Sequence, residues 1–285
     1  MSELLSISKR PITADQNSSL SHIISELLKN NISRIILTDE GGTPTGIISE
    51  KDVGLFLLTD DTERNLDDIP ASQIMNMLTS VNKSMTVEKC AEVMLEKRIG
   101  SVGLNSETGL VGIVTKTDIA QYYAQKFPNK HTVDDFMTIS FIAMESDSPL
   151  KDVVSKMIDE KISRIFLKNS QNEPKGIITF RDLFHVALEQ GNSDSVLDNS
   201  DSSISIVFNR KGFLSNSGFG NTIKAKDVMT STFESVSFDE DLTVACEEMI
   251  QNRINGVGVR INGKLGGVIS KTDVLKAIFS DNRSK

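Results

Sequence analysis

Tryptophan is absent from this 285-residue sequence, and aromatic residues make up only 5% of it. Few flat side chains are therefore offered to successive bases, which removes a common basis of single-stranded nucleic-acid binding. The net charge of −8 argues in the same direction, because phosphate backbones and anionic membranes attract basic surfaces. Cysteine is scarce too. Cys90 and Cys246 form neither a disulfide framework nor a zinc-ligand spacing, and a reducing, cytoplasmic setting is expected. The three histidines, His22, His131 and His185, compose no local metal or catalytic-triad motif. The segment MSELLSISKRPITADQ lacks the apolar core of a secretory leader, and no apolar run approaches the length that spans a bilayer.

What is present is an ordinary globular composition, 38% hydrophobic and 25% charged, in a chain long enough for two domains with separate cores. It is also repetitive. GIISEKDV at 46–53 returns as GIVTKTDI at 112, GIITFRDL at 176 and GVISKTDV at 267. Upstream of each copy lies an amphipathic pattern at i, i+3, i+4, i+7 and i+8, beginning at Leu20, Val87, Leu150 and Leu242. Twelve residues after each of these comes an isoleucine, Ile32, Ile99, Ile162 or Ile254, which opens a strand-like run. A turn and the quoted motif then supply a second strand and a second helix. Each unit reads strand, helix, strand, strand, helix, an α+β pattern.

The copies alternate in kind. The first and third read ISRIIL and ISRIFL, whereas the second and fourth read IGSVGL and INGVGV. A pair was duplicated, and two modules are expected at about 1–125 and 131–285, joined by a linker near AQKFPNKHT. Between the third and fourth motifs the glycine spacing grows to 91 residues, against 66 and 64 earlier. The excess, at about 190–220, reads as a flexible Ser/Asn/Asp-rich insertion followed by the hairpin-like ISIVFNRKGFL.

Two readings compete for the motif. Its hydroxyl and the acidic residue three places on match a helix N-cap and a capping box. The same strand-to-helix junction exposes backbone N–H groups suited to a phosphate, and an acid at its rim can accept from a ribose diol. Lys51, Lys116, Arg181 and Lys271 stand beside the motif, as phosphate neutralisers or as solvated surface.

The four motifs in register, with the SRI-type strands and the DDFMT and KDVMT leads, resemble cystathionine-β-synthase-type (CBS) domains over nearly the whole chain. The resemblance implies four CBS repeats paired into two pseudo-twofold Bateman modules. Their clefts bind adenine ligands: AMP, ADP, ATP, S-adenosylmethionine or, in some members, dinucleotides. It implies nucleotide contacts from Ser49 and Asp52, Thr115 and Asp118, Thr179 and Asp182, and Ser270 and Asp273. Arg34 and Arg164 fall where members place a phosphate-binding arginine, while the even repeats carry Ser101 and Asn255 in that stretch. The reading is a stand-alone regulator with no catalytic residues, metal or cofactor, which senses an adenine nucleotide and signals to a partner protein. It is expected to be a homodimer. The rivals are a ligand-free scaffold, in which every motif only caps a helix, and a sensor of S-adenosylmethionine or a cyclic dinucleotide.

Overall fold

The computed structural model describes residues 2–60, 64–139, 141–190, 222–231 and 233–283. The insertion expected at about 190–220 lies almost wholly outside these residues. A short helix, α1 (Glu3–Ile7), comes first. The first repeat then runs β1 (Thr13–Asp15), α2 (Leu20–Lys29), β2 (Arg34–Thr38), β3 (Pro44–Ser49) and α3 (Glu50–Thr59). The second runs β4 (Ser80–Asn82), α4 (Val87–Glu96), β5 (Ser101–Ser106), β6 (Gly109–Thr115) and α5 (Lys116–Lys126). The third comprises β7 (Ala143–Glu145), α6 (Leu150–Asp159), β8 (Arg164–Lys168), β9 (Pro174–Thr179) and α7 (Phe180–Gln190). In the fourth, α8 (Ala225–Val228) leads into β10 (Ser235–Ser237), α9 (Leu242–Gln251), β11 (Gly256–Ile261), β12 (Lys264–Ser270) and α10 (Lys271–Arg283). Each repeat is thus a three-stranded sheet, its first strand parallel and its third antiparallel to the middle one. The fold is α+β, in the order read from the sequence.

The recurrent isoleucine has a role other than the one expected. It ends the preceding helix and does not itself begin a strand. The residue before it, Asn31, Arg98, Lys161 or Arg253, takes a left-handed φ of 50–54°. The isoleucine N–H then reaches back across the last turn, to the carbonyls of Leu27, Met94, Met157 and Met249 at 3.0–3.1 Å. This is a Schellman closure, in which an apolar residue just past the cap folds back on the helix.

The described residues form two compact units, and the units take alternate repeats. Unit 1 comprises residues 1–11, 78–141 and 233–285, and so holds the second and fourth repeats; unit 2 comprises 12–77 and 142–232, with the first and third. In unit 1, α10 packs on α4 and α5, and α5 on α9. One continuous core results, with Cys90, Met94 and Tyr123 joined to Cys246, Met249 and Leu275. In unit 2, α3 packs on α7, and each helix delivers a side chain to the other repeat. Phe184 enters the core of the first repeat, and Leu58 that of the third. Burying a side chain of this size is worth about 1.5–3 kcal/mol. The stretch read as a linker is packed inside unit 1: Tyr123 stacks on Phe127 at 5.2 Å, and its hydroxyl hydrogen-bonds His131 Nδ1 at 2.8 Å.

Both cysteines are fully buried, and burial pushes their thiols up to about 12. Alkylation proceeds through the thiolate. Iodoacetamide at pH 8 should therefore leave Cys90 and Cys246 unmodified in the folded protein and label both in urea, as mass spectrometry would read. Rapid labelling without denaturant would contradict this packing.

The segments leading into the repeats cross over. The lead into the first repeat does not pair with its own sheet: Lys9 exchanges two backbone hydrogen bonds with Ile113 of the second repeat, at 3.0 and 2.9 Å. Asn76, leading into the second repeat, pairs in the same way with Ile47 of the first. Thr138, leading into the third, pairs with Val268 of the fourth, and Thr230, leading into the fourth, pairs with Ile177 of the third. Each partner is the residue immediately after a motif glycine. A Cβ built on Gly46, Gly176 or Gly267 would stand 2.9, 2.6 or 2.9 Å from the carbonyl oxygen of the crossing residue. The glycine is there because another backbone passes over it.

Candidate nucleotide-binding site

The motif hydroxyl ends the third strand of each repeat, and the acid sits on the first turn of the following helix. In the first repeat the Ser49 N–H and Oγ–H both donate to Asp52 Oδ2, at 2.8 and 2.5 Å, while the Asp52 N–H points back at Ser49 Oγ at 3.4 Å. Thr115 with Asp118 repeats this at 2.8, 2.6 and 3.4 Å. Thr179 with Asp182 does so at 2.7, 2.6 and 3.5 Å. Ser270 donates to Asp273 Oδ2 at 2.9 and 2.6 Å. Both halves of the capping box are present in the first three repeats, and in the fourth the half in which the acid accepts from the hydroxyl residue is present. The box satisfies helix-start donors that would otherwise go unpaired, and it uses only one oxygen of each carboxylate.

The second oxygen, Oδ1, distinguishes the four sites. Asp118 Oδ1 accepts the Lys9 ammonium at 2.9 Å, and Asp273 Oδ1 accepts that of Lys276 at 2.7 Å. Among the described residues Asp182 Oδ1 receives only the Thr230 hydroxyl, at 3.2 Å. Asp52 Oδ1 has no partner among the described residues. Lys9 and Thr230 come from the crossing segments and escaped the sequence reading, which followed each repeat as a self-contained unit. The only signal was the recurrence of short polar leads before each first strand.

Across the strand pair, Arg34 stands opposite Ser49 and Arg164 opposite Thr179. Directly opposed residues share a face, so each arginine stands across the strand pair from the motif hydroxyl of its own repeat. In the even repeats Ser101 faces Thr115, and Gly256, rather than Asn255, faces Ser270. The flanking cations go elsewhere. Lys116 Nζ donates to Thr272 at 2.8 Å and Lys271 Nζ to Thr117 at 3.0 Å, a reciprocal pair across unit 1. Lys51 lies 5.0 Å from the centroid of the Phe180 ring. Burial pushes the Glu50 carboxyl up, opposed by the charges of Arg181, His185 and Arg34. These groups join alternate repeats.

The CBS domain family model matches residues 2–57, 68–125, 133–189 and 225–280. The chain belongs to the CBS domain family. Over 94% of its length this CBS chain is 22% identical to the uncharacterized protein MJ1225 of Methanocaldococcus jannaschii, covering 95% of that protein. The crystal structure of MJ1225 superposes at a TM-score of 0.77, with 96% of this chain and 98% of that one covered and 21% identity. The L-aspartate semialdehyde sulfurtransferase of the same organism is 28% identical over 141 residues, 46% of this chain and 27% of the enzyme. This CBS chain therefore spans about a quarter of that relative's length. The CBS domain protein PAE2072 of Pyrobaculum aerophilum, complexed with AMP, is 26% identical, with 41% of this chain and 88% of that one covered, at a TM-score of 0.37.

No helix among the described residues is long and apolar enough to cross a membrane, and among those residues no group of three or more His, Cys, Asp or Glu is placed to hold a metal ion.

Proposed function

We propose that this chain is a non-enzymatic regulator that binds an adenine nucleotide, AMP, ADP or ATP, at its Ser/Thr–Asp motifs and passes occupancy to a partner protein in the cytoplasm. One observation carries the reading: the capping box spends Oδ2 and does not use Oδ1 of the same carboxylate, to which a ribose diol could donate. The arginines opposite Ser49 and Thr179 add cationic partners for a phosphate at the same strand ends. CBS domain pairs bind adenine nucleotides or S-adenosylmethionine, which fits these groups. Modules at 1–125 and 131–285 are part of this proposal.

A ligand that binds only the folded state stabilises it by mass action, by about 2.7 kcal/mol at a hundred times its Kd. AMP, ADP, ATP, S-adenosylmethionine and a cyclic dinucleotide should therefore be compared by thermal melting. A clear rise in Tm with an adenine mononucleotide is expected. A flat response to all five at millimolar concentration would reject this reading and leave the scaffold, in which the motifs serve as helix caps.

The homodimer expected from the sequence rested on helix faces that pair between modules. Here such faces are met within one chain, α3 by α7 and α5 by α9 and α10. The proposed species is thus the 31.3 kDa monomer, and light scattering at twice that mass would restore the dimer.

A further inference from the structure

Resting on the adenine reading, we infer that the four motifs are not equivalent, and that Lys9 and Lys276 act as built-in occupants which close the Asp118 and Asp273 sites. Ligand is then taken at Asp52 and Asp182. The observation is the fate of Oδ1. Asp118 and Asp273 are buried, and a buried carboxylate is costly unless every lone pair is met. The cap meets Oδ2, and an ammonium meets Oδ1 at 2.9 or 2.7 Å. Both an ammonium and a ribose hydroxyl can donate to the carboxylate, but only the ammonium adds the attraction of opposite charges, so a ribose diol arriving there would exchange a better partner for a worse one. At Asp182 the same oxygen holds, among the described residues, a neutral hydroxyl alone at 3.2 Å, which a sugar hydroxyl can replace like for like.

A second observation falls the same way. The two motifs without a lysine on Oδ1 are the two with an arginine across the strand, while Ser101 and Gly256 stand there in the lysine-covered pair. The phosphate partner and the uncovered ribose acceptor occur together.

Neither lysine is itself buried, and sister repeats carry other residues in its place. Their side chains are 66% and 52% exposed. The residue that crosses each motif is Lys9, Asn76, Thr138 or Thr230, so only the second motif receives a charge from its lead. Three places after the motif acid stand Leu55, Gln121, His185 and Lys276. Lys9→Thr and Lys276→Gln therefore install residues that sister repeats already carry.

The test is calorimetric titration of the full chain with AMP, and in parallel with S-adenosylmethionine, for the wild type, both single variants and the double variant. Thermal melting without ligand serves as the folding check, and Lys9→Ala replaces Lys9→Thr should the latter melt lower. Two sites per chain are expected in the wild type, three in each single variant and four in the double. Binding by the wild type with an unchanged site number in every variant overturns the inference and leaves the adenine reading intact. Fewer sites in a variant also overturns it, because the lysine would then be holding ligand. Binding of neither probe by any form defeats the adenine reading, and the inference with it.

Discussion

Gly176→Ala should destabilise unit 2 by about 3 kcal/mol, the upper range for overpacking, and Gly176→Val by more. The added Cβ would stand 2.6 Å from the Thr230 carbonyl oxygen and 2.7 Å from Met229 Sδ. The sulfur can swing aside, because methionine is flexible. The carbonyl cannot, since Thr230 and Ile177 exchange two backbone hydrogen bonds at 3.0 Å. Either the crossing segment lifts and loses those bonds, or β9 shifts. Gly46→Ala and Gly267→Ala should follow closely, each meeting a carbonyl at 2.9 Å. Gly112→Ala should cost least of the four, because its nearest contact is the Ser8 hydroxyl and the Lys9 carbonyl lies 3.5 Å away. The control is Gly54, in the middle of α3, where a Cβ would meet Phe184 at an ordinary 3.5 Å. Gly54→Ala should leave stability unchanged or raise it by about 0.5–1 kcal/mol, the usual preference of a helix for alanine. Urea and thermal denaturation followed by circular dichroism would give the order. A Gly176→Ala protein as stable as wild type would show that the crossing segment does not lie against β9.

Asp52→Asn and Asp182→Asn should each weaken AMP at their own site by roughly ten- to a hundredfold, about 1.5–3 kcal/mol for a lost hydrogen bond to a charged group. The apo protein should lose only a few tenths to about 1 kcal/mol, because asparagine keeps one oxygen for the cap. The division of labour between the two carboxylate oxygens makes this separation possible: Oδ2 faces Ser49 or Thr179, and Oδ1 faces away from it. A residue that served only as a cap would show the stability loss alone. In the Lys9→Thr background, Asp118→Asn should remove the added site. Titration calorimetry and melting on the same samples read both quantities. Undiminished AMP binding in the quadruple Asp→Asn variant would end the case for this motif as a ligand site, whatever the family fold.

The elements themselves were readable because their causes are local. A capping box spans four residues, Ser49 to Asp52 in the first repeat, although the equally local Schellman closure at Ile32 is read from the sequence as the opening of a strand. The amphipathic stripes of α2, α4, α6 and α9 follow from the helical period alone. The four repeats, their strand order and the pairing of Ser49, Thr115, Thr179 and Ser270 with their acids belong to this class. Even the question of cap or ligand was posed correctly by the sequence, although it was posed as a choice. The carboxylate has two oxygens, and the cap consumes one.

What only the tertiary structure decided is which repeat meets which. Apolar stripes state that a face is buried, not by what, and four related repeats offer faces too alike for composition to discriminate. The packing of α3 on α7 and of α5 on α9 and α10 is therefore invisible in the pattern that predicts each helix. The crossing leads are hidden for the same reason: Lys9 lies far along the chain from Asp118, and nothing local to either residue records the 2.9 Å ion pair between them. The motif glycine reads in sequence as a strand-end residue with no assigned purpose, and acquires its reason only when the neighbouring backbone passes over it. The contacts of Lys9 with Asp118 and of Thr230 with Asp182 depend on such long-range placements, whereas the Lys276 contact with Asp273 spans three residues of one helix; the sequence separated odd from even repeats by their arginines, and the fold added the difference at Oδ1.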